Sequence, residues 1–367
     1  MRLSHLFLSN FRNYEQENLL FSSDTNVFVG NNAQGKTNIL EAIYLLATLQ
    51  TFRPAENKDL IQWERKEASI EGIFQEEEVE QKHSLTIESL GKRPRINDKV
   101  IKKTSEYFGS VHVICFCPLD LQILQGAPAL RRRYLDRSLF NFDPSYGIDI
   151  GNYYRSLLQH NAALRIENKE MVELWREKQL HLGAKILLKR LQFIVKLNTL
   201  ASYLYREISG SNEKISVQYD SEVKFNNIND LSEGEILEGL KNRQKEALGL
   251  ERRIKKSIVG PHRDQFSVFV SEKNLRVFGS QGEQRTAILS LKLSELVAME
   301  KEKRIKPIFL LDDIASELDE KRKESLFQAL KQKRTQVFVT TTDVRSLKAG
   351  DQEKSIFKVE NGKIQLQ

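Results

Sequence analysis

The chain has 367 residues, of which 40% are hydrophobic and 29% charged, and its formal net charge is +7. This length suits two domains or one domain with a large insertion, and the apolar content is that of an ordinary folded protein. No stretch provides the roughly 20 consecutive apolar residues that a membrane-spanning helix needs. Because the N-terminus also lacks the cationic start and apolar core of a secretion signal, we expect a cytoplasmic protein without a membrane partner.

The placement of cysteine, histidine and basic residues along the chain favours a polyanion partner over a metal site made by Cys and His. Cys115 and Cys117 alternate in an apolar run, so we expect both to be core thiols on one face of a strand. The six histidines show no ligand spacing. Clusters of positive charge favour a nucleic-acid partner. These clusters are Lys92, Arg93 and Arg95; Lys102 and Lys103; Arg131, Arg132 and Arg133; and Arg252, Arg253, Lys255 and Lys256.

A phosphate-binding motif lies near the N-terminus. The first fifty residues predict strand, turn, strand, strand, loop and helix, and the loop reads G-x-x-x-x-G-K-T. An apolar strand, Val27 to Val29, precedes this loop, and helical spacing from Asn38 to Leu49 follows it. A helix N-terminus there would direct N–H groups at phosphate. The residues assigned to phosphate binding are Gly30, Asn31, Asn32, Ala33, Gln34, Gly35, Lys36 and Thr37.

Strands and long helices fill the middle of the chain. Alternation predicts strands at Ala68 to Phe74 and His83 to Ser89, and an apolar run predicts one at Val111 to Phe116. From Tyr153 to about Ile208, helical spacing predicts two long antiparallel helices, and a polar helix is predicted from Glu233 to Lys256.

The last hundred residues predict alternating strands and helices. The strands are Phe266 to Val270, Leu275 to Phe278, Ile308 to Leu311 and Gln336 to Val339; the helices are Glu283 to Glu300 and Glu320 to Lys331; a hairpin joins Ser355 to Val359 and Lys363 to Leu366 through Asn361 and Gly362. These elements, with the first hundred residues, predict an α/β ATPase head built from both chain ends. We expect the head at 1–110 and 260–367, and a mostly helical inserted lobe at 111–259.

Two carboxylates follow the apolar strand Ile308 to Leu311. Because ligands bind at the carboxyl ends of strands in a doubly wound sheet, Asp312 is expected to hold Mg²⁺ together with Thr37, directly or through water. Lys36 would reach the β- and γ-phosphates of ATP. Asp313 would polarise the attacking water. The acidic pair and the phosphate loop together predict an ATPase rather than a structural nucleotide site.

A second anion-binding turn precedes the helix at Glu283. The segment Gly279, Ser280, Gln281, Gly282 opens that helix, and a helix N-terminus suits a phosphate. A nucleotide held by the first loop has no evident use for it. We therefore expect Ser280 to cap the γ-phosphate of an ATP bound to another copy, in an ATP-dependent symmetric homodimer.

The chain resembles the RecF family of SMC/ABC-type ATPases over nearly its whole length. Besides the motifs above, the resemblance rests on five segments. They are Leu8 to Tyr14, Cys117 to Leu121 with Gly126, Arg131 to Asp136, Val259 to Asp264, and Leu311 to Asp319. The combination of segments is specific, whereas the phosphate loop alone would not identify a family.

The resemblance implies several roles beyond those derived from the residues. Ser280 would be the signature serine acting in trans, with Gly282 beside it at the nucleotide. Ser316 to Asp319 would form a D-loop at the dimer interface, and Arg12 would lie near the phosphates. The family binds double-stranded DNA and single-strand/double-strand junctions with ATP, and works with RecR, RecO and RecA. A role in DNA replication, repair of damage and the SOS response follows.

Two positions depart from the ABC pattern. Where a histidine usually follows the last core strand, this chain has Thr340 to Asp343; Thr342 offers a hydroxyl but no titratable group, which suits slow turnover. The resemblance implies a weak ATPase that DNA stimulates. The glutamine of the Q-loop is open between Gln50 and Gln62. Other functions stay as alternatives: a DNA motor, a scaffold that binds ATP structurally, and a metal-dependent nuclease. The first lacks coupling motifs, the second conflicts with Asp312 and Asp313, and the third lacks a further acidic cluster.

Overall fold

The computed structural model describes residues 1–76, 78–102, 104–224, 228, 231–344 and 354–367. Lys103, part of one basic cluster, lies outside them. The described strands are β1 Arg2–Phe11, β2 Tyr14–Leu20, β3 Thr25–Val29, β4 Glu67–Glu76, β5 Val79–Glu88, β6 Gly91–Ile96, β7 Lys99–Val100, β8 Val113–Phe116, β9 Ile215–Asp220, β10 Gln265–Val270, β11 Lys273–Asn274, β12 Ile308–Leu311, β13 Val337–Thr341, β14 Lys354–Glu360 and β15 Lys363–Leu366. The described helices are α1 Lys36–Thr48, α2 Asn57–Leu60, α3 Thr104–Tyr107, α4 Gln122–Gln125, α5 Pro128–Phe142, α6 Ser145–Arg165, α7 Lys169–Ser209, α8 Glu233–Ile254, α9 Leu275–Phe278, α10 Gln281–Lys303, α11 Ile314–Glu317 and α12 Glu320–Lys333.

The chain forms two compact units. The first comprises Met1–Leu121, Leu204–Asn212 and Gln281–Gln367, and the second comprises Gln122–Tyr203 and Glu213–Ser280. These boundaries differ from those expected at 110 and 260. The structure places β8 in the first unit because it pairs in parallel with β12. It places β10 in the second because it pairs with β9.

Two sheets make the first unit. In the part of the chain described, one has the order β15-β14-β3-β13-β12-β8, and all its neighbours are parallel except the β14–β15 hairpin. The other, β2-β1-β4-β5-β6-β7, is antiparallel. Helix α1 contacts strands of both sheets and is buried along most of its length, with Ile39, Leu40 and Ile43 at 0% exposure. Burial of this helix fixes the end of the phosphate-binding loop that leads into it.

The second unit contains the predicted pair of long helices. Helices α6 and α7 are antiparallel, because Asp149 near the start of α6 pairs with Lys185 and His160 near its end bonds Gln179. Arg190 of α7 has 0% exposure and pairs with Asp136 of α5 at 2.7 Å. A buried guanidinium is tolerated because it is paired and hydrogen-bonded.

The prediction of a strand at Leu275 to Phe278 is wrong. The segment Leu275–Phe278 is the short helix α9, whose N-cap Asn274 accepts a side-chain hydrogen bond from the backbone N–H of Arg276 at 3.0 Å. Apolar alternation over four residues does not distinguish a strand from one helical turn. The closing hairpin is confirmed: Asn361 and Gly362 both have positive φ, 49° and 71°, as its two-residue turn requires.

Candidate nucleotide-binding site

The phosphate-binding loop connects β3 to α1, as the sequence predicts. A Cβ atom at Gly30 would collide with the backbone oxygen of Val359. Gly35 has a φ of 113°, and a Cβ there would lie within 2.8 Å of Asn13 and Tyr14 side-chain atoms. The Tyr14 hydroxyl donates to the Gly35 carbonyl at 3.0 Å. The two glycines of the motif are therefore required by close packing around the loop as well as by backbone conformation.

The middle of the loop is open to solvent on one side and held on the other. Asn31, Asn32 and Ala33 are exposed. Gln34 is fixed instead: its carbonyl accepts from Asn13 Nδ2 at 3.0 Å and its Oε1 accepts from the Asn361 backbone N–H at 2.5 Å. The turn of the closing hairpin thus stabilises the loop, a contact that no local sequence pattern indicates.

Lys36 is buried beneath the loop with 7% exposure. Its Nζ donates to the carbonyls of Gly30 and Asn31, each at 2.7 Å. Burial lowers the pKa of Lys36, and the carboxylates of Asp313 and Asp312 oppose that shift. The lysine thus lies within the loop and within the field of both acidic residues, where a phosphate chain would need a cation.

Thr37 and Asp312 meet as the sequence predicts. Thr37 Oγ1 donates to Asp312 Oδ1 at 2.8 Å. Thr340 of the neighbouring strand β13 donates to the same oxygen at 2.8 Å and accepts from the Asp313 backbone N–H at 2.7 Å. Burial raises the pKa of Asp312, while the hydrogen bonds from Thr37 and Thr340 lower it. Thr340 therefore orients both acidic residues, a role that the sequence did not indicate.

Replacing Thr340 by valine should disturb this arrangement while preserving its shape. The Asp313 N–H would lose its acceptor, so we expect unfolding free energy to fall by about 1–3 kcal/mol and ATP turnover to fall with it. Denaturant titration and phosphate release measure the two effects. The matched control is Thr342→Val, since Thr342 is exposed directly after the same strand. Equal effects at both positions would contradict the role given to Thr340.

Asp313 occupies a strained backbone position. Its φ is 51°, in the left-handed region, and it precedes α11. Its Oδ2 accepts from Ser316 Oγ at 2.6 Å. Strained non-glycine residues cluster at functional sites. The residue expected to polarise water is thus held by the first residue of the expected D-loop.

Arg12 lies beside the loop, but its guanidinium bonds helix α1. Arg12 Nε and Nη2 donate to the two carboxylate oxygens of Glu41 at 2.9 and 3.0 Å. The next residue, Asn13, bonds Gln34 of the loop and accepts from Asn38 at 2.7 Å. The turn between β1 and β2 therefore flanks the phosphate-binding loop. Arg12 lies in this turn and is paired with the buried carboxylate of Glu41.

The structure divides the expected signature segment. Ser280 is exposed and is the last residue of the second unit, whereas Gly282 belongs to α10 in the first. A Cβ at Gly282 would lie 2.9 Å from an Arg322 guanidinium nitrogen. Arg285, one turn further along α10, donates to the Ser316 carbonyl at 3.1 Å and pairs with Glu317 at 2.9 Å. The signature helix and the D-loop are therefore connected within the first unit.

The two Q-loop candidates differ in their surroundings. Gln50 is exposed directly after α1. The Gln62 backbone N–H bonds the Asn10 carbonyl at 2.8 Å, which places Gln62 beside the turn that carries Arg12. Its Oε1 is buried and, among the described residues, has no hydrogen-bond partner. A buried amide oxygen of this kind needs a hydrogen-bond partner, so we expect Gln62 rather than Gln50 to be the Q-loop glutamine.

The basic cluster at Arg131 is only partly a surface feature. Arg131 has 3% exposure, and its guanidinium donates to the Leu124 and Gly126 carbonyls and to Gln265. Arg132 is half-buried and donates to the Asp264 carbonyl at 3.1 Å. The side chain of Arg131 therefore stabilises the second unit and is not part of the exposed basic surface. Within the Arg131 and Arg252 clusters taken together, the exposed members are Arg133, Arg252, Arg253 and Lys256.

Among the described residues, no group of three or more His, Cys, Asp and Glu side chains is arranged to hold a metal ion. Mg²⁺ at phosphoryl-transfer sites is instead held by one or two protein oxygens and by phosphate, and the oxygens of Thr37 and Asp312 fit that donor set. Cys115 and Cys117 are buried and free, as expected of core thiols. In the described part of the chain, no helix is both long and apolar enough to cross a membrane.

Fold and site define an α/β phosphate-loop ATPase head of the ABC/SMC class, assembled from both ends of the chain. The chain matches the RecF/RecN/SMC N terminal domain over residues 2–365. A DNA replication and repair protein RecF from Geotalea daltonii is 33% identical over 367 residues, covering 99% of this chain and 100% of the relative. One from Geobacillus thermodenitrificans is 37% identical over 375 residues, covering 99% of each chain. The chain belongs to the RecF family.

Solved structures agree with this assignment. The recombination mediator protein RecF with ATP, of the RecFOR pathway, superimposes with a TM-score of 0.90 at 32% identity, covering 100% of this chain and 97% of that one. An Smc head bound to the C-winged helix domain of ScpA gives a TM-score of 0.58 at 14% identity, covering 100% and 97%, which shows the shared head fold alone.

Proposed function

We propose that this protein is an ATP-dependent DNA-binding ATPase of recombinational repair, in which ATP closes a homodimer on double-stranded DNA beside single-strand gaps. The observation that carries the proposal is the convergence of Thr37, Asp312 and Thr340 at the carboxyl ends of β12 and β13, next to a phosphate-binding loop. Relatives named for DNA replication and repair match nearly the whole chain, which supports the DNA-related part.

Each site residue has a defined task in this proposal. Lys36 binds the β/γ-phosphate oxygens; Thr37 and Asp312 would hold Mg²⁺, whose charge would neutralise those oxygens. Asp313, held by Ser316, accepts a hydrogen bond from the attacking water and polarises it. The hydroxyl of Thr340 contacts the acidic pair where a histidine would offer a titratable group, and this supports slow hydrolysis that resets a clamp.

Dimerisation would complete the site in trans. Ser280 precedes α10, whose first-turn N–H groups suit a γ-phosphate. Arg285 joins α10 to Ser316 and Glu317. A movement of α10 on binding a phosphate at its start would therefore shift the D-loop of the same copy. Two nucleotides would then lie between two copies related by a two-fold axis.

The proposed partners follow from the family. A RecF structure is described as part of the RecFOR pathway, which supports RecR and RecO as partners and the loading of RecA at single-strand/double-strand junctions. DNA-stimulated turnover, an SOS-response role and a cytoplasmic location belong to the same proposal. Sedimentation velocity with ATP, ADP or no nucleotide, with and without duplex DNA, tests it. A protein that stays monomeric with ATP and binds DNA equally in all states would overturn the clamp.

Charge placement gives a prediction for DNA binding. The double variant Arg252→Gln and Arg253→Gln should weaken binding to all duplex sequences alike, and should reduce the slope of log affinity against log salt by about one unit for each phosphate that is no longer neutralised. Arg131→Gln should instead lower stability, because its buried hydrogen bonds disappear. Fluorescence anisotropy over a salt series measures the slope. An unchanged slope in the double variant would show that these arginines only face solvent.

A further inference from the structure

Glu41 carries a carboxylate on a helix whose other buried residues are mostly apolar. It lies in α1, among residues buried between the two sheets of the first unit, and has 0% exposure. Glutamate is almost never fully buried unless it is paired, since an isolated buried charge is costly. The pairing that allows Glu41 to be buried is therefore informative.

Two arginines from separate segments share this carboxylate. Arg12, from the turn between β1 and β2, makes the two hydrogen bonds to both oxygens described above. Arg53, which follows α1, donates through Nη2 to Glu41 Oε2 at 2.5 Å. The Arg12 and Arg53 side chains keep 19% and 30% exposure, so both are partly accessible to solvent although the carboxylate of Glu41 is not. Two guanidiniums around one carboxylate leave an excess of positive charge.

Both arginines are also tied to the nucleotide-binding residues. Arg53 Nη2 donates to Asn38 Oδ1 at 2.7 Å, and Asn38 follows Thr37 directly. Arg12 precedes Asn13, which bonds the loop at Gln34. The positive charge held by Glu41 thus lies on the flank of the loop where Thr37 and Asp312 meet.

We infer that Glu41 is a positioning residue for ATP: it holds Arg12 and Arg53 together at the terminal-phosphate side of the loop without contacting nucleotide. This rests on the proposed binding of ATP at that loop. Two guanidiniums repel each other. If their side chains become ordered only when the nucleotide binds, the entropy lost in ordering them lowers the affinity for that nucleotide. With Glu41 between them, their charge is already in place when the phosphates arrive.

The position of the charge predicts selectivity between nucleotides. The β- and γ-phosphates lie at Lys36, Thr37 and the metal in loops of this kind. Because Arg53 bonds Asn38, directly beside Thr37, we expect the charge of the arginine pair to add to the site that holds the γ-phosphate, which ATP has and ADP lacks. A residue that only stabilised the fold would affect both nucleotides equally.

The test uses the full chain with Glu41→Gln, which keeps the shape and hydrogen-bonding capacity but removes the charge. We expect the dissociation constant for ATP to rise about 10-fold, as loss of charge-assisted hydrogen bonds would give, and that for ADP to change by less than about twofold. Competition against a fluorescent ATP analogue measures both. The matched control is Glu15→Gln, an exposed glutamate paired with Arg65 at 3.3 Å.

A second comparison separates positioning from folding. In a background of Arg12→Gln and Arg53→Gln, Glu41→Gln should produce no further loss of ATP affinity, because the residues it positions are gone. A loss that persists in that background, or equal losses for ATP and ADP, would overturn the inference. Failure of the unaltered protein to bind ATP would instead sink the proposed function. If Glu41→Gln does not fold, Glu41→Asp keeps the charge with a shorter reach, and the same selective loss decides the question.

Discussion

Lys36→Ala should abolish ATP binding at micromolar nucleotide. Gly30 and Gly35 would stay packed against Val359 and Tyr14, but the loop would lose its buried ammonium group and the two hydrogen bonds that this group donates to loop carbonyls. Charge-assisted hydrogen bonds contribute about 1.5–3 kcal/mol, so we expect the dissociation constant for ATP to rise by about 100-fold. Isothermal titration of ATP measures this. Lys58→Ala is the control, because Lys58 is an exposed lysine of the same unit.

Asp313→Asn should separate binding from turnover. The amide oxygen of Asn can still accept from Ser316, so the loop geometry is preserved, but the charge that polarises water is gone. We expect nearly unchanged ATP affinity and a fall in turnover of about 100-fold or more, the usual contribution of a general base. A variant that hydrolyses ATP at the normal rate would remove Asp313 from its proposed role.

Ser280→Arg should leave ATP binding by the monomer nearly intact and abolish ATP-induced dimerisation, because a bulky cation would occupy the shared interface. Turnover should fall with dimerisation. Sedimentation velocity with and without ATP measures the first effect. Ser22→Arg, which places the same side chain at an exposed turn of the first unit, should dimerise normally.

Mixing Ser280→Arg with Lys36→Ala gives the decisive outcome. A mixed dimer would contain one composite site with both halves intact, so mixing equal amounts of two inactive proteins should restore part of the unaltered activity. The restored rate should rise with protein concentration, as expected of a dimer. No rescue on mixing, together with ATP-induced dimers of Ser280→Arg, would show that the chain acts without a partner copy.

Asp312 and Thr340 show which site residues could be predicted from the sequence and which could not. A strand of four apolar residues followed by two aspartates predicted a metal ligand, and the motif at Lys36 and Thr37 predicted its partner. Thr340 lies in the stretch that departs from the ABC pattern, where the sequence pointed to the hydroxyl of Thr342. The structure shows Thr340 in contact with Asp312 because β13 is the parallel neighbour of β12. Strand order is a long-range property that no local pattern specifies.

The same reason accounts for the remaining differences. Arg131 looked like part of a surface cluster, but α5 buries it against Gln265 of a strand far along the chain. Glu41 and Arg53 carried no motif at all. A glutamate in the middle of an otherwise apolar helix face, with arginines on both flanking segments, is the one signal that could have indicated them.

The sequence by itself determined the phosphate-binding loop, the acidic pair, the closing hairpin and most elements, because each depends on residues close together in the chain. Periodicity, turn chemistry and motif spacing all act over a few residues, and their physics is local. Only the tertiary structure decided which strands are neighbours, that β8 completes the head sheet, that Arg131 is buried, and that Glu41 lies between two arginines. Those outcomes depend on packing between segments that meet only when the whole unit has folded.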